Sequence, residues 1–193
     1  MIPFKQLVAA FSCLAVLALP CRPAAADFRA EIAVDPARPI GPVNRLILGN
    51  NVQWVDRGDE LLRTDGKGIS EAMIEKARVA GVSLLRYPGG SLADLFHWRD
   101  GMGDLPGRGR NEHFYSGRKQ TVEFGTQEFL EVCEAIGAMP MITVNTATGT
   151  AEDAAEWVRL VNVKGLTSRR SGKPLPRVDY WDVGNEPYLK DDT

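Results

Sequence analysis

The sequence predicts an α/β fold built on a parallel sheet, and two observations carry that prediction. Short β-rich runs alternate with helical patterns that open on capping residues and close on glycine, the order that a parallel sheet with crossover helices requires. Polar residues gather directly after the β-rich runs, at the strand ends where barrels of this class place their reactive groups.

The chain opens on a targeting pattern. Lys5 supplies a basic flank, Leu7 to Leu19 form an apolar run, and Ala24-Ala25-Ala26 make a small-residue cleavage site, so residues 1–26 read as a signal peptide and the mature chain begins at Asp27. A membrane helix would need roughly 20 apolar residues. This run is shorter and is broken by Pro20 and Pro23. A lipoprotein signal ending at Cys21 is disfavoured because Pro20 occupies the position where a small residue is expected. No second long apolar stretch follows, so the expectation is a secreted or periplasmic protein without membrane association after cleavage.

An additional strand is expected over Phe28–Val34, where apolar and polar residues alternate with a period near two. Arg45-Leu46-Ile47-Leu48-Gly49 reads as the first strand of the sheet. Ser70 caps a helix carrying Met73, Ala77 and Ala80, and Gly81 ends it. The second strand is Ser83–Arg86. A long glycine-rich, charged loop follows to about Gly125, and loops of that length inside a compact domain are usually functional or disordered. Thr126 caps a helix in which Phe129, Val132, Cys133 and Ile136 recur at helical spacing, so one stripe faces a core, and Gly137 stops it. Met141–Val144 is the third strand. Thr150 and Asp153 open the next helix as an acidic capping pair, with Ala154, Trp157, Val158 and Val161 as its stripe. A basic loop from Lys164 to Arg177 reads as a solvated connection. Val178–Val183 is the fourth strand.

Composition excludes several function classes. The formal charge of −2 becomes more negative once Lys5 and Arg22 leave with the signal, so nothing points to nucleic acid. Of three cysteines, Cys13 and Cys21 leave too, and Cys133 alone cannot form an internal disulfide. It reads as a small buried side chain on a helix face. His97 and His113 are the two histidines and no H-x-x-H or C-x-x-C spacing occurs, so neither a metal nor a cofactor is expected.

The polar strand ends carry the chemistry. Asn50, Asn51 and Gln53 follow the first strand, Arg86 closes the second, Asn145 follows the third, and Asn185 and Glu186 follow the fourth. Any one of these alone also fits a cap or turn residue. Four such ends together are harder to explain that way. Glu186 is the prime candidate for catalysis, because glycoside hydrolysis needs a carboxylic acid to protonate the leaving oxygen, and an apolar, aromatic setting keeps it protonated. Trp181 and Tyr188 are near it in sequence, and Asn185 offers an amide to a sugar hydroxyl. Pro187 gives the bland alternative, a plain strand-to-loop turn.

Five blocks occur in an order that resembles α-L-arabinofuranosidases of clan A of the glycoside hydrolases: Arg86-Tyr87-Pro88-Gly89-Gly90, Trp98–Gly103, Phe124–Phe129, Val144-Asn145 with Thr148-Gly149-Thr150, and Trp181–Glu186. The resemblance runs from about Ile40 to the end and implies a retaining (β/α)8 enzyme acting on a carbohydrate substrate. It implies that Glu186 is the general acid/base, that Asn185 holds a substrate hydroxyl, and that Arg86 lies near the nucleophile and keeps it ionised. Asn145, Gln53 and Trp98 are implied as further substrate contacts. Gln53 replaces a glutamate usual in the family, Ser91 stands where an asparagine often follows the two glycines, and Phe114 or Tyr115 lies near the place of a loop tryptophan. Family members often assemble into homo-oligomers.

Residues 27–193 suffice for one core, whereas a full barrel needs about 250. The expectation is therefore the N-terminal half of a (β/α)8 TIM barrel, strands one to four with an extra N-terminal strand, as a partial catalytic domain. The nucleophile follows the seventh strand in the clan, so the chain alone is expected to lack it and to be inactive. Two alternatives remain at this stage: another clan A activity such as a xylosidase or endoglucanase, and a non-catalytic carbohydrate-binding fragment.

Overall fold

The structure, a computed structural model, describes residues 29–190. The signal expected over residues 1–26 lies outside them. The chain divides between Gly41 and Pro42.

Residues 29–41 hold one turn, in which Asp35 accepts the N–H of Ala37 on its carboxylate and the N–H of Arg38 on its carbonyl. The extra strand expected over Phe28–Val34 is not formed: residues 29–34 are irregular, and Ile32 and Val34 are 85% and 82% exposed. Alternation marks the face a strand would bury. It does not supply an edge to pair with, and an unpaired strand leaves its backbone groups to water.

From Pro42 onward, β1 (Gly49–Asn51), β2 (Leu84–Tyr87), β5 (Met139–Val144) and β6 (Tyr180–Val183) form a parallel sheet in the order β1-β2-β5-β6. The expected first strand is displaced toward its C-terminal end. Arg45–Ile47 instead make a 3-10 turn, because the Asn44 side chain accepts the N–H of Leu46 at 3.0 Å and closes the backbone locally. Asn50 and Asn51 therefore sit within β1 rather than after it.

Helices α2 (Glu71–Val79), α3 (Thr126–Ile136) and α4 (Ala151–Val158) separate the strands as the sequence predicts. Thr150 caps α4 by accepting the N–H of Asp153 at 3.1 Å. At α3 the cap is Gly125, not Thr126. Glu128 reaches back to the Gly125 N–H at 2.9 Å, while the Thr126 hydroxyl accepts from Trp157 Nε1 at 3.0 Å. The expected stripe of α3 is buried at Phe129, Val132 and Cys133 and half-buried at Ile136, and Gln127, Glu128 and Glu131 on its other side are buried too. The loop expected to be a solvated connection explains this: the Arg169 backbone donates to Glu131 at 2.7 Å, its guanidinium to Glu128 at 2.9 Å, and Gln127 donates to Thr167 O at 2.9 Å.

The long loop between β2 and α3 is ordered by its own hairpin, β3 (Arg110–Glu112) with β4 (Lys119–Thr121). Arg108 holds it to the core. Its side chain, 1% exposed, donates to Gly103 O, Val122 O, Glu123 O and the Glu128 carboxylate at 2.6 to 3.1 Å. Phe114 and Tyr115 lie between the hairpin strands and are exposed, stacked edge to face at 5.2 Å.

Strand register sorts the sheet into two faces. Leu85, Tyr87, Ile142 and Trp181 look toward the helices: Tyr87 stacks on Phe129 at 4.7 Å, and Trp181 meets Trp157 edge to face at 5.8 Å. Asn51, Arg86, Thr143 and Asp182 take the opposite face.

After β1 the chain makes one turn of unusual hand. Asp56, Arg57, Gly58, Asp59 and Glu60 have φ of 49, 57, 70, 52 and 66°, a left-handed helical turn designated α1 (Asp56–Asp59). For residues other than glycine this hand costs roughly 1–2 kcal/mol each. Packing selects it: a side chain on Gly58 would lie 2.5 Å from the ring of the buried Phe124.

Candidate active site

The face opposite the helices carries one hydrogen-bonded network with Arg86 at its centre. Arg86 Nε donates to Asp182 Oδ2 at 2.7 Å, Nη1 to Gly89 O at 3.0 Å and more weakly to Asn51 Oδ1 at 3.4 Å, and Nη2 to Asn185 Oδ1 at 3.2 Å. Thr143 adds a hydroxyl to Asp182 Oδ2 at 3.3 Å. All four strands contribute. The geometry follows from alternation, since residues two apart on one strand and in register across strands share a face. Arg86 and Asp182 are each about a quarter to a third exposed, which leaves the pair reachable from solvent.

Asn185 and Glu186 leave β6 through a bend that needs glycine. Gly184 has φ of 78°, and a side chain there would clash with Thr146 Oγ1, while the Gly184 N–H donates to Val144 O at 3.2 Å. The bend buries Asn185 to 9% exposure and turns its carboxamide oxygen to Arg86. Because the oxygen is taken, the amide N–H pair is the part left for a ligand, so Asn185 is a donor here. Glu186, itself at φ of 45°, is exposed, and its Oε1 accepts from Tyr188 Oη at 2.9 Å. That bond, with the negative charge behind it, raises the Tyr188 phenol above its ordinary value. Trp181 does not help enclose Glu186. Its ring is on the helix side and its Nε1 donates to Val178 O at 2.9 Å.

Gln53 joins this group from the segment after β1. A side chain on Gly89 would lie 3.5 Å from Gln53 Cγ, and one on Gly90 3.6 Å from Asn185 Oδ1. The two consecutive glycines thus leave room for Gln53 at one and for Asn185 at the next. Asn145 and Trp98 bond elsewhere. Asn145 accepts the N–H groups of Ala147 and Thr148 and donates to Thr148 Oγ1 and Phe96 O, which uses its carboxamide to build the turn after β5. Trp98 donates to Asp153 O at 3.0 Å and stacks on Trp157 at 6.0 Å. With Phe96 and Asp153 they line a separate cavity of about 310 Å³.

Two members of the network, Asp182 and Thr143, are absent from the sequence-based site. The available signal was register: Asp182 lies four residues before Glu186 on the face that Arg86 occupies. Among the described residues no cluster of three or more His, Cys, Asp or Glu side chains forms a metal site. Chemically, the arrangement offers an exposed carboxyl beside a fixed amide donor and a guanidinium, the set that protonates and holds a polyhydroxylated substrate.

Comparison with known proteins gives this arrangement a context. The Alpha-L-arabinofuranosidase 1 domain matches residues 78–193. Probable alpha-L-arabinofuranosidase C of Aspergillus flavus is 33% identical over 174 residues, covering 82% of this chain and 34% of that protein. The intracellular exo-alpha-L-arabinofuranosidase of Bacteroides ovatus is 31% identical over 142 residues, covering 70% of this chain and 27% of that protein. Among solved structures, the thermostable GH51 alpha-L-arabinofuranosidase of Thermotoga petrophila superposes with a TM-score of 0.65 at 33% identity, over 80% of this chain and 35% of that one. The chain spans about a third of the length of the relatives it matches.

Proposed function

Because this chain belongs to the α-L-arabinofuranosidase family, we propose that it carries the acid/base portion of a retaining glycosidase acting on arabinose-containing plant-type polysaccharides. Glu186 protonates the leaving oxygen and then, as carboxylate, deprotonates the attacking water. Asn185 donates its amide to a sugar hydroxyl. Arg86 orients Asn185 and presents positive charge to the second carboxylate. The observation that carries this reading is the Arg86 to Asn185 bond, which ties the Glu186 bend to the polar face of the sheet.

Four parallel strands with helices on one face and a polar network on the other support the reading as the N-terminal half of a (β/α)8 barrel, its network facing the barrel axis. A retaining site needs a nucleophilic carboxylate about 5 to 5.5 Å from the acid. Asp182 is a poor nucleophile because its Oδ2 is held by Arg86 and Thr143. The nucleophile in this reading comes from a strand other than the four seen here, and the chain alone does not complete the reaction. Gln53 contributes to sugar binding from the wall of the group, while Asn145 and Trp98 line the separate cavity and build its loops. The N-terminal pattern supports export, testable by the mass of the mature N-terminus.

The test of the reaction type is a chimera in which residues 42–193 replace the matching third of a relative. Hydrolysis of an aryl α-L-arabinofuranoside followed by NMR is expected to show the product anomer with the configuration of the substrate. An inverted product would overturn the retaining mechanism, and hydrolysis of xylosides in preference to arabinofuranosides would overturn the substrate.

A further inference from the structure

The left-handed turn Asp56–Glu60 is expensive in backbone conformation, and what it accomplishes is visible in one bond. After β1 the chain continues beside the end of β2 and the residue beyond it: the Val52 N–H donates to Arg86 O at 2.7 Å and the Trp54 N–H to Pro88 O at 3.1 Å. Between them the Gln53 N–H points away from that neighbour, as alternation along an extended chain demands. Its acceptor is Asp59 Oδ2 at 2.8 Å, six residues ahead and brought back by the turn.

The turn is not chosen by its own residues, since four of the five carry side chains at positive φ and Gly58 alone is at ease there. It is held from below. Gly58 lies against the ring of Phe124, which is fully buried, and Phe124 O accepts the Tyr87 hydroxyl at 2.8 Å. Tyr87 is the residue after Arg86, so the clamp on Gln53 and the centre of the polar network share one strand. Gln53 in turn lies against Gly89, one residue from the glycine that meets Asn185. Burial, with the neighbouring Asp56, raises the Asp59 carboxyl above its ordinary range, so its placement is not the outcome of its own ionisation preference.

We propose that Asp59 is a positioning residue of this site: through the Gln53 N–H it fixes the backbone that sets the Gln53 side chain, with its Cγ against Gly89, making Gln53 a rigid, specificity-determining wall of the site. Strain of this kind persists where the surrounding packing over-determines it, and such places cluster at ligand-binding sites. The identity of the ligand as an arabinofuranoside rests on the function proposed above; the clamp itself does not.

The experiment uses the chain as it is, with Asp59→Ala and Asp59→Asn, read by amide NMR and by titration with methyl α-L-arabinofuranoside. Asp59→Ala is expected to speed hydrogen exchange of the Gln53 backbone amide by roughly tenfold, to average the signals of the Gln53 side-chain amide, and to weaken binding of the probe severalfold. Asp59→Asn retains an acceptor and restores all three. Unchanged exchange at Gln53 in Asp59→Ala overturns the clamp, and faster exchange with unchanged affinity overturns its role in the site. If the unmodified chain does not bind the probe, the arabinofuranoside reading fails and the exchange data still decide the clamp. Should Asp59→Ala not fold, the Gln53 amide shift of the unmodified chain is followed against pH: it moves with Asp59 ionisation if the bond exists, and a flat profile rejects it.

Discussion

Arg86 Nη2 donates to Asn185 Oδ1 at 3.2 Å across 99 residues of sequence, and the same guanidinium holds Asp182 through Nε at 2.7 Å. Three roles thus meet in one side chain: it joins β2 to β6, it orients the Asn185 amide, and it neutralises a partly buried carboxylate.

Lysine cannot replace it. A single ammonium keeps the charge but cannot donate in the planar fork that reaches Asp182, Gly89 O and Asn185 together. Arg86→Lys is expected to lower stability by about 2 kcal/mol, the scale of one lost charge-assisted bond, measured by urea unfolding. Asp182→Asn should cost less, because the amide oxygen still accepts from Nε. Equal stability of Arg86→Lys and the unmodified chain would show that the fork is not used.

The Arg108–Glu128 pair anchors the long loop and makes the sharper stability test. Removing Arg108 leaves Glu128 with only the half-exposed Arg169 and strips the donor from the Gly103, Val122 and Glu123 carbonyls, and breaking a buried pair of this kind costs about 3–5 kcal/mol. Arg108→Ala should therefore lose that amount in denaturant unfolding, and Arg169→Ala much less, since Arg169 is about half exposed. A loss under 1 kcal/mol in Arg108→Ala would mean that the loop is held by its apolar residues alone.

Strands, helices and the Glu186 motif were legible because each rests on local pattern: helical spacing for Phe129 to Ile136, a short β-rich run for Met141 to Val144, and polar residues directly after a β-rich run for Asn185 and Glu186. Three features were not. The β1 boundary moved because the Asn44 side chain closed a turn inside an apolar run. Glu128 and Glu131 look solvent-facing until the basic loop around Arg169 folds onto them, which is a tertiary event with no local signature. The left-handed turn runs against the preferences of four of its residues, and what holds it, the packing of Gly58 on Phe124 and the Gln53 to Asp59 bond, is tertiary or out of local pattern. For the site, sequence named Gln53, Arg86 and Asn185, which the fold brings to one place, and Glu186, which follows Asn185 in the chain with its carboxylate bonded to Tyr188. It also named Asn145 and Trp98, whose polar atoms are spent on loop structure.

Asp59 gives a pH signature. Its carboxyl is raised in the folded chain, so folding takes up a proton in the range above the ordinary Asp value of 3.8. Ionised Asp59 opposes folding at neutral pH, and that penalty fades as pH falls through the raised value. Asp59→Asn should therefore be the more stable chain at neutral pH, with the difference shrinking on acidification toward 3.8. A difference that grows on acidification would contradict the direction of the shift.

Cys133 is buried to 1% exposure, and burial pushes its thiol far above the ordinary range. An aromatic disulfide reagent at pH 8 should label it only as fast as the chain unfolds, so labelling and unfolding rates coincide across a urea series. Rapid labelling of the native chain would place the thiol at the surface.

The central claim is that Glu186 supplies the proton to the leaving group. It is tested most directly in the chimera carrying residues 42–193, by comparing Glu186→Gln with the unmodified site on arabinofuranosides of graded leaving-group pKa. Loss of a general acid costs about 10²–10⁴-fold, concentrated on poor leaving groups, so the rate deficit should grow with leaving-group pKa and nearly vanish in the first step for the best ones. A deficit independent of the leaving group, or full activity on the poorest, would contradict the assignment of Glu186.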